Sequence, residues 1–287
     1  MTHVWQLAHG RELALDRFRL MAILNATPDS FSDGGRFLDA RVAIDYAKRC
    51  LDEGAAIVDV GGESTRPGAQ RVDAAEQLRR VLPIVEGVAS LGGALISIDT
   101  TSSEVARAAI DAGAHIINDV SAGTEDPEVF PLAAGSGAGL ILMHRLRPPD
   151  ADSYSDQYAA PPKYDDVFAD VKAWLMTRVE AARDDDVSRE QIVLDPGLGF
   201  GKTVDQNFEL IARVSEWRST GFPVLCGASR KSFVGRVTGV EEPAGRVAGS
   251  IAIAVEQFLA GVRLFRVHDV EAHRQALAVA QEIGGRT

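Results

Sequence analysis

The sequence predicts a (β/α)8 barrel built as a single domain, with a β-hairpin ahead of its first strand. Three observations carry that expectation. Eight short β-rich runs recur along the chain (RLMAILN, AAIVDVG, ALISIDT, HIINDV, GLILMH, QIVLDPG, PVLCGAS and RLFRVHD), and helical patterns lie between them. The runs are almost continuously apolar, so both faces of their sheet are covered, as in parallel strands flanked by helices. A unit also repeats: LDEGAAIVD (51–59), IDAGAHIIN (110–118) and LAGVRLFR (259–266) each hold a helix end, a glycine stop, an apolar pair and a terminal polar residue. Eight strand–helix units in 287 residues fit a TIM barrel. A doubly wound sheet is the competing arrangement, and no G-x-G-x-x-G follows the first strand to support it.

In chain order, VWQLAHGRELALD (4–16) reads as a hairpin with His9-Gly10 at its turn, placed to plug the N-terminal end of the barrel. The hairpin region is 1–18 and the barrel 19–287, with no linker dividing the chain. ARVAIDYAKRCLDEG (40–54) has a helical pattern. SSEVARAAIDAG (102–113) adds Ser102 or Ser103 as cap, Glu104 in the first turn and Gly113 as stop. The long connection RLRPPDADSYSDQYAAPPKYDD (145–166), rich in proline, aspartate and tyrosine, reads as a mobile surface excursion.

Composition narrows the classes of function. Hydrophobic content of 46% with 25% charged residues is that of a globular chain. No run of about 18 apolar residues occurs, so no membrane span is expected. MTHVWQLAHGREL lacks a basic-then-apolar signal pattern, which points to the cytoplasm. Cys50 and Cys226 stand far apart and read as buried small hydrophobes in a reducing compartment. A net charge of −11 argues against a nucleic-acid surface, while leaving room for a small anionic ligand in a locally basic pocket.

In such barrels the strand C-termini and following loops form the active face. Those ends read Asn25, Asp59, Asp99, Asn118, His144, Asp195, the SRKS stretch at 229–232, and Arg266 with His268. Asp59, Asn118 and Arg266 occupy the same place in the repeated unit. LDPGLGFGKTVDQN (194–207) ends its glycine-rich part in Gly201-Lys202-Thr203, like the tail of a nucleotide-binding loop. Pro196 stands where that loop needs its first glycine, the helix starts only near Asp205, and Asp195 would face the phosphates. The glycines instead let a loop hug a flat ligand. Asp195 and Asn118 can read the donor-rich edge of a heterocycle, since a carboxylate accepts two N–H bonds from a guanidine-like face. The plainer alternative for Asp195 is a helix cap or structural ion pair.

Other loops carry anion-binding chemistry. NATPDSFSDGG (25–35) is a long first loop, and GGESTRPGA (61–69) presents Ser64, Thr65 and Arg66 before Pro67. SRKSF (229–233) and RVHD (266–269) place Arg230, Lys231, Arg266 and His268 after the last two strands, where barrels often hold phosphate.

These segments, with SIDT, AHIINDVS and LMH, closely resemble the signature segments of the dihydropteroate synthases, in the same order, from about Met21 to Val270. The resemblance implies a pterin-binding barrel that joins 6-hydroxymethyl-7,8-dihydropterin diphosphate to 4-aminobenzoate, releasing pyrophosphate and forming dihydropteroate. It implies small-molecule substrates, a homodimer and Mg2+. Carried over by position, it puts Asp99, Asn118, Met143, Asp195 and Lys231 on the pterin. Asn25, Arg266 and His268 fall on the diphosphate, with Mg2+ coordinated through Asn25. Thr65, Arg66, Pro67, Phe200 and Ser232 frame the aminobenzoate, and Phe31 and Asp33 ride on a first loop that closes over it. Asn25, Asp99, Lys231, Arg266 and His268 form the implied catalytic set. Arg145 and Leu146 depart from the family's more usual Met-Gln after LMH, and Ala26 and Thr101 also differ from common choices. A pterin barrel for methyltetrahydrofolate-dependent methyl transfer, and a non-catalytic pterin-binding paralogue, are the two other readings.

Overall fold

The computed structural model describes residues 3–26 and 36–284. Phe31 and Asp33 lie outside the described residues. Strands β1 (Val4–Leu7) and β2 (Arg11–Ala14) pair antiparallel, with Val4 opposite Ala14, about a short 3-10 turn at Ala8–Gly10. His9 and Gly10 both take positive φ there, as a tight reversal requires.

The barrel then alternates strand and helix: β3 (Arg19–Asn25), α1 (Arg36–Asp52), β4 (Ile57–Gly61), α2 (Ala74–Ser90), β5 (Leu95–Asp99), α3 (Ser103–Asp111), β6 (Ile116–Asp119) and α4 (Val129–Ser136). It continues with β7 (Gly139–Met143), α5 (Val167–Asp184), β8 (Ile192–Asp195), α6 (Val204–Ala212) and β9 (Leu225–Cys226). Two helices, α7 (Ser232–Thr238) and α8 (Val247–Leu259), precede β10 (Leu264–Val267), and α9 (Val270–Gly284) follows it. Strands β3 to β10 form one sheet of eight parallel neighbours, with β10 between β3 and β9. A parallel bridge between Leu194 and Val224, with Leu194 N donating to Pro223 O at 2.9 Å, joins β8 to the approach of β9 and closes the ring. The eight strands read from sequence are the eight found, although β9 shrinks to two residues.

Strand alternation sorts the core into two apolar bodies. Outward residues such as Leu20, Val58, Ile96, Ile117, Leu140, Leu194 and Phe265 pack under the helices. Inward residues one step along form the floor of the barrel: Met21, Ile57, Leu95, Ile116, Ile141, Val193, Leu225 and Leu264, one from each strand. Trp5, Leu7, Leu13 and Leu15 of the hairpin region join this second body. Trp5 is fully buried, and its indole Nε1 donates to Gln191 O at 2.7 Å. The hairpin therefore plugs the N-terminal end, as the sequence predicts.

Helix ends follow local chemistry. Ser102 is the cap of α3, accepting from Val105 N. Thr203 and Gln206 form a reciprocal capping box that starts α6 at Val204, one residue ahead of the expected Asp205. Cys50 and Cys226 are free and buried.

The 145–166 connection runs over the surface, as expected, and is hydrogen-bonded to its neighbours at several points. Buried Asp152 accepts from Gly201 N at 3.0 Å and from Tyr158 OH. Tyr164 OH donates to Gly201 O at 2.8 Å, Asn207 Nδ2 to Ser155 Oγ at 3.1 Å, and Gln206 Nε2 to Pro162 O at 2.9 Å. Asp152 and Tyr164 engage the backbone of Gly201 in the loop after β8, while Ser155 and Pro162 O receive side chains of α6.

Candidate active site

The inward stripe that is apolar at the floor turns polar one step higher. Above Ile57 comes Asp59, above Leu95 Ser97 and Asp99, above Ile116 Asn118, above Val193 Asp195, and above Leu264 Arg266. The three residues aligned by the internal repeat meet here. Arg266 Nε donates to Asp59 Oδ2 at 2.6 Å, and Asn118 Nδ2 donates to the same oxygen at 3.1 Å. Arg266 Nη2 donates to Asp99 Oδ2 at 2.7 Å. Asp59, singled out as a strand end but given no role, is the fully buried hub of the group. Its place in the repeat was the available signal.

Above this group opens a cavity of about 210 Å3. Asn25, Thr65, Arg66, Pro67, Phe200, Lys231, Ser232, Arg266 and His268, all expected site residues, line it. Asp99, Asn118, Met143 and Asp195 are buried beneath, at 3–6% exposure. Asp195 Oδ1 accepts from Gly197 N at 2.7 Å. Its Oδ2 lies 3.7 Å from where a Cβ on Gly227 would stand, and Gly227 lines the cavity, so the absent side chain leaves the carboxylate uncovered. Tyr154, Pro243 and Arg246 also line the cavity and were not singled out from sequence.

Three buried carboxylates, Asp59, Asp99 and Asp195, stand close together in the field of Arg266, Lys231 and Lys202. Burial pushes the Asp99 carboxyl up to about 7, against the pull of the Arg266 guanidinium. Burial also raises Asp195, opposed by the Gly197 N–H and the Lys231 charge. Oδ1 of Asp59 and Oδ1 of Asp99 have no donor among the described residues. An acceptor-rich floor of this kind favours a ligand with several N–H groups.

The rim is cationic. Lys231 is brought down to about 8, first by burial and then by the Arg266 charge, while Asp195 and Asp99 pull the other way. Its Nζ sits 3.9 Å from the centre of the Phe200 ring, a cation–π contact that fixes both. Arg230 takes a left-handed φ of 60° at the bend that presents Lys231 and Ser232, and its Nε donates to Asp269 at 3.0 Å. His268 is neutral: burial, then the Arg230 and Arg266 charges, bring it down to about 3. Ser229 Oγ contacts His268 Nδ1 at 3.0 Å and accepts from His268 N at 3.2 Å. With the Ser229 hydroxyl donating to Nδ1, the ring proton stands on Nε2, able to meet an oxygen anion.

Lys202 answers the resemblance to a nucleotide loop. It is fully buried and faces inward. Its Nζ donates to Gly197 O at 3.0 Å and Phe200 O at 2.8 Å, and lies 3.0 Å from His144 Nδ1. Burial brings the lysine down to about 7 and His144 to about 2. The lysine thus sets the shape of the loop that carries Phe200. Gly197 is required for the same reason: a Cβ there would lie 1.8 Å from His144 O, at a φ of 69°.

A family model described as pterin binding enzyme matches residues 21–268. The chain is 43% identical over 268 residues to a dihydropteroate synthase of Synechocystis sp., covering 93% of this chain and 90% of that one. Among solved structures, the Xanthomonas albilineans dihydropteroate synthase with 4-aminobenzoic acid superposes with a TM-score of 0.89 at 41% identity, covering 98% of each chain. The same enzyme in complex with 7,8-dihydropteroate gives a TM-score of 0.85 at 39% identity, covering 97% of this chain and 98% of that one.

Proposed function

The chain belongs to the pterin-binding enzyme family, and from that premise we propose that it condenses 6-hydroxymethyl-7,8-dihydropterin diphosphate with 4-aminobenzoate, giving 7,8-dihydropteroate and pyrophosphate. The observation that carries this reading is a single cavity with an acceptor-rich floor and a cationic rim, in a chain closely similar to synthases solved with 4-aminobenzoic acid and with dihydropteroate.

Asp195, Asn118 and Asp99 hold the amino and ring N–H groups of the pterin, with Met143 packing beside it and Lys231 meeting an acceptor on its rim. Arg266, fixed in orientation by Asp59 and Asp99, and His268 through Nε2 face the diphosphate. The demanding step is cleavage of the bond between the pterin methylene and the diphosphate oxygen. Charge appears on the leaving oxygens, where Arg266 and His268 stabilise it, and the carboxylates below steady the electron-poor pterin. The arylamine needs no protein nucleophile. Thr65, Arg66, Pro67, Phe200 and Ser232 frame it, so that its nitrogen meets the methylene.

The donor set suits a Mg2+ carried in by the substrate. No cluster of three or more His, Cys, Asp or Glu side chains able to hold a metal occurs among the described residues, while Asn25 offers one neutral amide oxygen at the cavity wall. Bound there with diphosphate oxygens and water, the ion would neutralise leaving-group charge. No helix among the described residues is long and apolar enough to cross a membrane. We place the enzyme in the cytoplasm, as a homodimer.

The test is pyrophosphate release from dihydropterin diphosphate and Mg2+, with and without 4-aminobenzoate. Release dependent on the arylamine, with equimolar dihydropteroate, is expected. Tight pterin binding without release would mean a non-catalytic paralogue, and absence of both would remove the pterin assignment.

A further inference from the structure

The loop after β4 brings Thr65, Arg66 and Pro67 into the cavity, and its two ends are joined beneath them. Glu63 Oε1 accepts from Val72 N at 2.7 Å and lies 3.5 Å from Arg71 Nε. Arg71 Nη2 reaches across to Glu125, which stands in the loop after β6. Glu125 Oε2 also accepts from Thr101 Oγ1 at 2.7 Å, in the loop after β5. Its other oxygen accepts from Arg145 Nη2, in the loop after β7. One carboxylate therefore ties together four loops of the active face.

Signs alternate along the series Arg145, Glu125, Arg71, Glu63, so each contact is attractive. Both ends are anchored inside: the side chains of Arg145 and Glu63 are 6% and 9% exposed. The middle is accessible, with Glu125 at 25% and Arg71 at 40%. A single exposed ion pair contributes little, but a series with buried ends has its geometry set in advance. A second tie, Gly68 N donating to Pro149 O at 2.8 Å, holds the loop tip to the connection after β7. None of these four charged residues lines the cavity, so their effect on a ligand passes through the loop.

Resting on the synthase reading, we infer that Glu125 is a positioning residue for the aminobenzoate, clasping the Thr65–Arg66–Pro67 loop through Arg71 and bracing it against Arg145. Losing the clasp lowers the fraction of molecules whose loop is set to receive the arylamine. The apparent affinity falls by that fraction, and the chemistry of the loaded site is unchanged.

Full-length wild type, Glu125→Gln, Arg71→Met and the double variant would be assayed with each substrate varied against a saturating partner. The expected result is a KM for 4-aminobenzoate raised about five- to twentyfold in each single variant, with kcat and the KM for the pterin diphosphate within about twofold. The double variant should be little worse than the worse single one, because both break the same clasp. Should Glu125→Gln fail to fold, Arg71→Met at its exposed position decides alone. An unchanged aminobenzoate KM in an active series overturns the clasp and leaves the synthase reading standing. A loss spread equally over kcat and both KM values overturns it in favour of a general structural role. Wild type that forms no product removes the synthase reading and the clasp with it.

Discussion

Asp99 and Lys231 carry opposite charges that burial discourages in both. Burial raises the Asp99 carboxyl against the pull of Arg266, and its ionised form offers pterin N–H groups more and stronger acceptor positions than its protonated form. Lys231, lowered to about 8, is a cation only below that pH. Pterin affinity should therefore rise as Asp99 ionises on leaving the acid range and fall as Lys231 loses its proton on the alkaline side. The sign for the free protein is opposite on the acid limb. A carboxyl raised above its ordinary value contributes stability that is present at low pH and lost as pH rises through the folded-state value. Calorimetry with a pterin ligand at about pH 6, 7.5 and 9, in buffers of different ionisation enthalpy, reads both affinity and proton release. A flat profile without proton release would mean that neither group titrates against the ligand.

At the level of elements, the N-terminal hairpin and the loop after β8 show how the site is held. Trp5 closes the floor, touching the apolar layer to which every barrel strand contributes one residue. Trp5→Ala should cost about 3–5 kcal/mol, the range for truncating a buried aromatic side chain. Denaturant unfolding would report it, and turnover per folded molecule should stay near wild type, because the floor lies beneath the polar layer. A loss under about 1 kcal/mol would say that the hairpin is an appendage. The near-continuous apolar strands, read as covered on both faces, contain this floor without marking it off from the layer under the helices. The fate of Lys202 was not: glycines and a lysine after a strand are compatible with several sites, and only the packed loop directs the ammonium to Gly197 O, Phe200 O and His144.

On the scale of the whole molecule, α9 leaves Val279 and Ile283 about 60% exposed, one turn apart and so on one face, beside a shallow depression lined by Ala278, Val279, Glu282 and Ile283. An exposed apolar face of this kind suits a second copy of the chain. Light scattering should give twice the chain mass, and Val279→Glu with Ile283→Glu should shift it toward one. A wild-type monomer at micromolar concentration would remove the homodimer from the proposal.

The sequence by itself determined the eight strands, the glycine stops, the hairpin and the residues that end on the active face, because period, caps and turns are set by neighbours along the chain. It also aligned Asp59, Asn118 and Arg266 by repetition. Only the tertiary structure decided that Asp59 is the hub joining the other two, that the 145–166 connection is tethered, and that Glu125 gathers partners from three other loops. The physical reason is separation: Arg266 and Asp59 stand 207 residues apart, and their 2.6 Å contact exists only because β10 pairs with β3, which in turn lies beside β4.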